Sequence, residues 1–279
     1  MTRSVNPFVW GLASVFLMTS CDMVDLHPYD VKIEGPRDVN ASNIARIETA
    51  CRDKDTIRFV TMGDSQRWYD ETVDFVNAVN VRTDIDFVIH GGDMSDFGVT
   101  DEFLWQRDIM DRLNFPYVAI IGNHDCLGTG EETYRAVFGD TDFSFIAGRI
   151  KFVCLNTNAM EYDYSRPIPD FDYMENEISR RREEYDRTVV CMHARPYSDS
   201  FNNNVARVFQ AYVTAFPGLL FCTAAHEHRQ FEIDVFGDGV MYYVSDCMKH
   251  RSYNVFTVTP DGYEHEVVYL SLIHISEPT

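Results

Sequence analysis

Five short apolar runs in this chain each stop at side chains able to hold a metal ion. They read RFVTMGDSQ, ending on Asp64 and Gln66; FVIHGGDMSD, on Asp93 and Asp96; VAIIGNHD, on Asn123 and His124; VVCMH, on His193; and LLFCTAAHEH, on His226 and His228. Any one of them is ordinary, because Gly-Asp and Gly-Asn are common turn chemistry and a lone His is usually a satisfied polar residue. Five in one chain constrain the fold. In open α/β sheets ligands bind beyond the carboxyl ends of the strands, so five such endings can surround one crevice.

The remaining patterning agrees with a layered α/β fold. Nearly continuous apolar runs at 57–62, 85–89, 117–121, 150–155, 188–192 and 219–222 read as strands covered on both faces. Between them, amphipathic stretches at 43–51, 71–80, 102–113, 131–138, 171–185 and 203–216 place apolar residues at helical spacing. Later segments alternate instead: 231–235 with 240–244, and 254–258 with 264–269, each pair split by a Gly-rich or Pro-Asp-Gly turn, read as hairpins. Strand and helix alternating early, then antiparallel strands, imply mixed sheets.

With 279 residues the chain suits one large domain, which we place at 31–269. Lys and Arg number 24 against 44 Asp and Glu, a formal charge of -20 that repels nucleic-acid polymers and anionic headgroups. No internal run approaches the length needed to span a bilayer. Residues 1–21 read as an export signal: Arg3 supplies positive charge, 8–18 is mostly apolar, and Leu17-Met18-Thr19-Ser20-Cys21 resembles a loose bacterial lipobox. Cleavage before Cys21 and acylation of its thiol are expected, with 22–30 as a tether, anchoring the protein to the bacterial envelope on its periplasmic face or at the cell surface. The final residues, 270–279, look like a translated sequencing-library adapter and are set aside from fold reasoning. Six cysteines follow Cys21 without a C-x-x-C spacing, which leaves disulfide pairing open.

A mixed Asp/Asn/His donor set suits a pair of transition-metal ions, and one carboxylate can bridge two cations. Two such ions activate a water and clamp the attacking and leaving oxygens of phosphoryl transfer. The blocks resemble the calcineurin-like metallophosphoesterase family, whose pattern runs D-x-H, G-D-x-x-D, G-N-H-D/E, a lone H and G-H-x-H in that order. That resemblance spans about 56–228 and implies a four-layer sandwich, two packed mixed sheets flanked by helices. It implies two divalent or trivalent ions, Mn, Fe or Zn, one held by Asp64, Gln66, Asp93 and His228, the other by Asp93, Asn123, His193 and His226. Asp93 would bridge them. His124 would act as general acid on the leaving oxygen, oriented by Asp96. The implied reaction is hydrolysis of a phosphate ester of a small molecule or phosphoprotein by in-line attack of metal-activated hydroxide.

Two positions depart from the pattern. Gln66 stands where the family usually has His, a harder and weaker donor, and Ala225 replaces the Gly of G-H-x-H. These departures motivate a second reading, a surface lipoprotein that keeps the fold as a binding module without turnover. Arg195 and Arg67 are the expected contacts for phosphoryl oxygens, ahead of Arg229, Lys249 and Arg251. Asp125 reads as a loop hydrogen-bonder, Glu227 as solvent-facing, and the aromatic, Pro-rich stretch 160–173 as a roof over the pocket or a self-packed loop. A Ser or Cys hydrolase is disfavoured, since no G-x-S-x-G occurs and Cys126 lacks an activating pattern.

Overall fold

A computed structural model describes residues 31–159 and 167–270. The signal, Cys21, the tether, the adapter-like tail from Ser271, and Tyr162 and Tyr164 of the expected roof lie outside these residues.

Two mixed sheets form the centre. The first has strands β1 (Ile57–Met62), β2 (Phe87–His90), β3 (Tyr117–Ala119), β10 (Ser252–Thr259) and β11 (Gly262–Tyr269), ordered β11-β10-β1-β2-β3. β1, β2 and β3 run parallel, and β10 pairs antiparallel with both β1 and β11. The second sheet contains β4 (Phe143–Ala147), β5 (Ile150–Leu155), β6 (Arg187–Met192), β7 (Leu219–Ala224), β8 (Phe231–Asp234) and β9 (Met241–Val244), ordered β4-β5-β6-β7-β9-β8.

Side chains alternate across a strand, so each apolar run serves two interfaces. Phe59 of β1 faces inward, stacking on Phe87 and Phe256 at 5.4 and 5.2 Å and meeting Phe152 of the other sheet edge-on at 5.0 Å. Val60 and Met62, one step along, face outward to Phe75, Phe103 and Tyr134. Those residues belong to α2 (Tyr69–Asn80), α3 (Thr100–Met110) and α4 (Gly130–Val137). On the far side Val153, Val190 and Cys222 meet Met174 of α5 (Phe171–Ser179) and Phe209 of α6 (Ala206–Ala215). The order of layers is helix, sheet, sheet, helix, as the resemblance implied, with α1 (Val39–Cys51) reaching the inter-sheet core through Ile47 and Cys51.

The expected elements recur with shifted ends, and three differences stand out. α1 begins four residues before the expected start. α5 stops at Ser179 short of Tyr185, because Arg181 takes a left-handed backbone (φ 56°) and Arg182–Glu184 closes as a single tight turn. β4 has no counterpart in the sequence reading; its five residues join β5 through a hairpin at Gly148 (φ 60°). Among the described residues no helix is long and apolar enough to cross a membrane, and none of the six described cysteines is in a disulfide.

Candidate metal centre

Leaving the strands, the chain turns sharply at the expected ligands. Asp64, Gln66, Asp93, His226 and His228 all have positive φ (49°, 25°, 58°, 75° and 49°). Such conformations cost roughly 1–3 kcal/mol each in non-glycine residues and persist only where the surroundings over-determine them. Here a lattice of hydrogen bonds does so. The Asp64 and Gln66 N–H groups donate to the carbonyls of Gly92 and Asp93, both at 2.9 Å. Buried Asp125 accepts the N–H groups of Asp93, Ser95 and Gly122 at 2.8–2.9 Å, which gives it the loop-holding role expected from sequence. Gly122 is irreplaceable by space, since a Cβ there would lie 2.1 Å from Asp93 Oδ1.

Within this frame the donors converge. His193 Nε2 lies 3.4 Å from Asp93 Oδ2 and 3.0 Å from Asn123 Oδ1, and His226 Nδ1 lies 2.8 Å from the same Asn123 oxygen. On the other side His228 Nε2 lies 3.3 Å from Asp64 Oδ1. Two ligand clusters result, Asp93/His193/His226 and Asp64/Asp93/His228, with donor atoms within 4.8 Å of one another and Asp93 common to both. Asp64 Oδ1 is buried, with the His228 ring nitrogen at 3.3 Å as its facing polar group and no well-formed hydrogen bond. A buried carboxylate oxygen so sparsely paired gains from a facing cation, so the donors present fit bound metal. Orientation supports the same fit, since His193 gives its Nδ1 hydrogen to the Gly91 carbonyl at 2.8 Å and leaves Nε2 facing inward.

Electrostatics follow from crowding. Burial pushes the Asp93 carboxyl up, but the facing His193 ring outweighs it and holds the group below the usual carboxylate range. Asp64 in turn raises His228. Gln66 sits beside Asp93 with its amide N–H, not its oxygen, toward Asp93 Oδ2 at 3.1 Å; turning the amide over would present the oxygen.

At the rim, His124 Nδ1 contacts the main-chain carbonyl of Asp96 at 2.8 Å, while the Asp96 carboxylate stands 3.8 Å away and pairs with Arg67 at 2.5 Å. A carbonyl only accepts, so Nδ1 is the donor and Nε2 is left for another partner. The orienting group is thus the Asp96 backbone more than its side chain. Its loop is fixed by Glu102, which accepts the N–H groups of Asp96, Phe97 and Val99.

Several expectations need correction. Glu227 does not face solvent: it is half-buried and pairs with Arg195 at 2.6 Å and with Arg229 at 3.7 Å. Arg195 is therefore engaged, bound to Glu227 and lying over the Phe231 ring at 5.4 Å, and is not an open fork. Arg251 is held by Asp74 and Glu71, and Lys249 is exposed. Of the expected roof, Phe171 packs on Tyr212 at 5.3 Å and Tyr173 joins the α5/α6 core, so the described part of that stretch is self-packed. A further cluster, Asp246, Cys247 and His250, lies nearby, but its donors are engaged with one another: Asp246 Oδ1 takes both the Cys247 N–H and the His250 ring at 2.8 and 2.9 Å.

Sequence reasoning passed over His90. This buried ring takes the Gly92 N–H at 3.2 Å and contacts Ser65 Oγ at 2.8 Å, tying the two ligand-bearing turns together. Burial pushes it down to about 3, so it stays neutral and can accept and donate at once. A His closing an otherwise apolar strand was the available signal.

The profile of the calcineurin-like phosphoesterase family matches residues 57–230, which contain every one of the expected ligands. The chain belongs to that family. A comparison with curated proteins returns no match by sequence. Among solved structures, the chain is similar to GAP50, the anchor in the inner membrane complex of Plasmodium, at 11% identity, covering 77% of this chain and 85% of that one, with a TM-score of 0.62. It is also similar to a dimetal phosphatase from Danio rerio at 11% identity, 77% and 99% coverage and TM-score 0.60. Purple acid phosphatase PPD1 from yellow lupin follows at 13% identity, 78% and 52% coverage and TM-score 0.57. At these identities the likeness speaks to the fold.

Proposed function

We propose that the protein is a phosphoesterase that hydrolyses small phosphate esters or phosphoproteins with a pair of metal ions, Mn, Fe or Zn, held by Asp64, Gln66, Asp93, Asn123, His193, His226 and His228. The observation that carries this reading is the pair of donor clusters sharing Asp93, with Asp64 Oδ1 buried beside it and faced by His228 Nε2 at 3.3 Å. Bound there, the ions supply an activated water and charge neutralisation at phosphorus.

The chain's own residues do the rest. His124, fastened through Nδ1 to Asp96, offers Nε2 to the leaving oxygen and gives it a proton. Arg67, exposed and paired with Asp96 beside His124, and Arg195, paired with Glu227, are the cations that meet phosphoryl oxygens, each by releasing its carboxylate. Asp125 and His90 keep the ligand turns in register. The acidic charge of the whole chain favours small esters over nucleic-acid polymers. Export and a lipid anchor at Cys21 belong to the same reading and rest on the N-terminal sequence.

The test is assay of p-nitrophenyl phosphate and bis-p-nitrophenyl phosphate after loading with Mn, Fe, Zn or Mg, with elemental analysis alongside. Turnover of one ester with bound metal is expected, and Asp93→Asn should abolish turnover together with one ion. A protein that takes up metal but turns over neither ester supports the second reading, a binding module without catalysis. GAP50, an anchor, shares this fold, and the inward amide N–H of Gln66 motivates that alternative.

A further inference from the structure

Asp199 lies outside every block that marks the site in sequence, yet its Oδ1 stands 2.6 Å from Nε2 of His226. The other nitrogen of that ring, Nδ1, faces Asn123 Oδ1 at 2.8 Å, on the side where Asp93 and His193 gather. An imidazole that binds a cation through one nitrogen carries its hydrogen on the other, and the group accepting that hydrogen fixes both tautomer and ring plane. We propose that Asp199 is a positioning residue for the metal centre, accepting the Nε2–H of His226 and so keeping the Nδ1 lone pair aimed at the ion. This rests on the phosphoesterase reading above.

The carboxylate is 90% exposed, but the backbone beneath it is fastened on both sides. Ser198, Ser200 and Phe201 are buried, and Phe201 meets Phe209 of α6 at 5.1 Å. Ser198 donates through both N–H and Oγ to the Arg195 carbonyl, at 3.1 and 2.8 Å. Asn203 closes the loop by accepting the Tyr197 N–H at 2.7 Å and donating to the Ser198 carbonyl at 2.8 Å. The Ala159 N–H anchors the next residue through the Ser200 carbonyl at 2.8 Å. Tyr197 itself holds φ 66°, a strained conformation for a bulky side chain.

One connection thus leaves β6 carrying a ligand, His193, and six residues later the hydrogen acceptor of a second ligand from another strand. An ion pair this exposed contributes little to folding. What it changes is the direction in which the His226 ring points.

Calorimetric titration of the metal-free full chain with Mn2+ and with Zn2+ tests the assignment, comparing wild type, Asp199→Ala and Asp199→Asn and recording the metal-free Tm of each. Wild type should bind two ions. Asp199→Ala should weaken one of them about tenfold and leave the other and the metal-free Tm unchanged. Asp199→Asn, which still accepts from Nε2, should keep most of the affinity. Equal affinities in wild type and Asp199→Ala overturn the role of Asp199 while leaving the phosphoesterase reading standing. A lowered metal-free Tm with both ions weakened alike also overturns it, as a purely structural effect. A wild type that binds neither metal overturns both.

Discussion

The Ala225 methyl occupies space that Gly63 and Gly91 leave open: a Cβ built on Gly63 would lie 2.8 Å from it, and one on Gly91 3.2 Å. Ala225 is buried and does not have positive φ, so the departure from G-H-x-H is absorbed by the glycines that face it. Gly63→Ala should therefore destabilise by about 1–3 kcal/mol through overpacking. Adding Ala225→Gly should recover much of that loss, which denaturant unfolding of the two single variants and the double would show as a coupling.

His124 touches the site differently from the ligands, through its Asp96 tether at the rim. His124→Ala should lower turnover of a nitrophenyl ester by about 10²–10⁴, the range of a lost acid catalyst, with both ions retained. Elemental analysis of the purified variant separates this from ligand loss: a variant that also loses an ion contradicts the assignment.

Gln66 presents an N–H to the Asp93 carboxylate where the family usually has an imidazole. Gln66→His should shift the preference of the first site from hard ions such as Mg toward Zn, because imidazole is the softer donor. Competition dialysis of Zn against Mg in the two proteins measures this, and an unchanged ratio would remove Gln66 from the metal's surroundings.

Much of this was legible before any coordinates, for definite reasons. Asp64, Asp93, Asn123, His193, His226 and His228 each end a run whose apolar continuity comes from being covered on both faces, so strand, terminus and polar donor were visible together. What stayed hidden depends on contacts between distant segments. Asp199 meets His226 across 27 positions, and Glu227 folds back on Arg195 across 32; no local pattern records either. Arg195 illustrates the limit: its place after His193 suggested a phosphate fork, whereas its partner is the carboxylate of Glu227, set between His226 and His228. β4 escaped because five residues with little polar contrast carry almost no periodic signal.

Away from the site, Asp142 precedes β4 and takes the Asn156 N–H on Oδ1 at 2.9 Å and the Thr141 hydroxyl on Oδ2 at 3.1 Å. Burial pushes its carboxyl up to about 6 despite those two donors. A carboxyl raised above its unfolded value of 3.8 is held more tightly as the acid in the folded chain. Its ionisation therefore opposes folding: the cost is absent at pH well below 4, grows as pH rises from 4 to 6, and is constant above 6. Asp142→Asn removes the charge and keeps an oxygen for Asn156. The variant should be more stable than wild type by on the order of 2 kcal/mol at pH 8, with the gain shrinking toward zero as pH falls through 4. Urea unfolding of the metal-free proteins at several pH values checks the sign, since a gain that grew on acidification would mean that Asp142 is stabilised as the anion and that Thr141 and Asn156 outweigh burial.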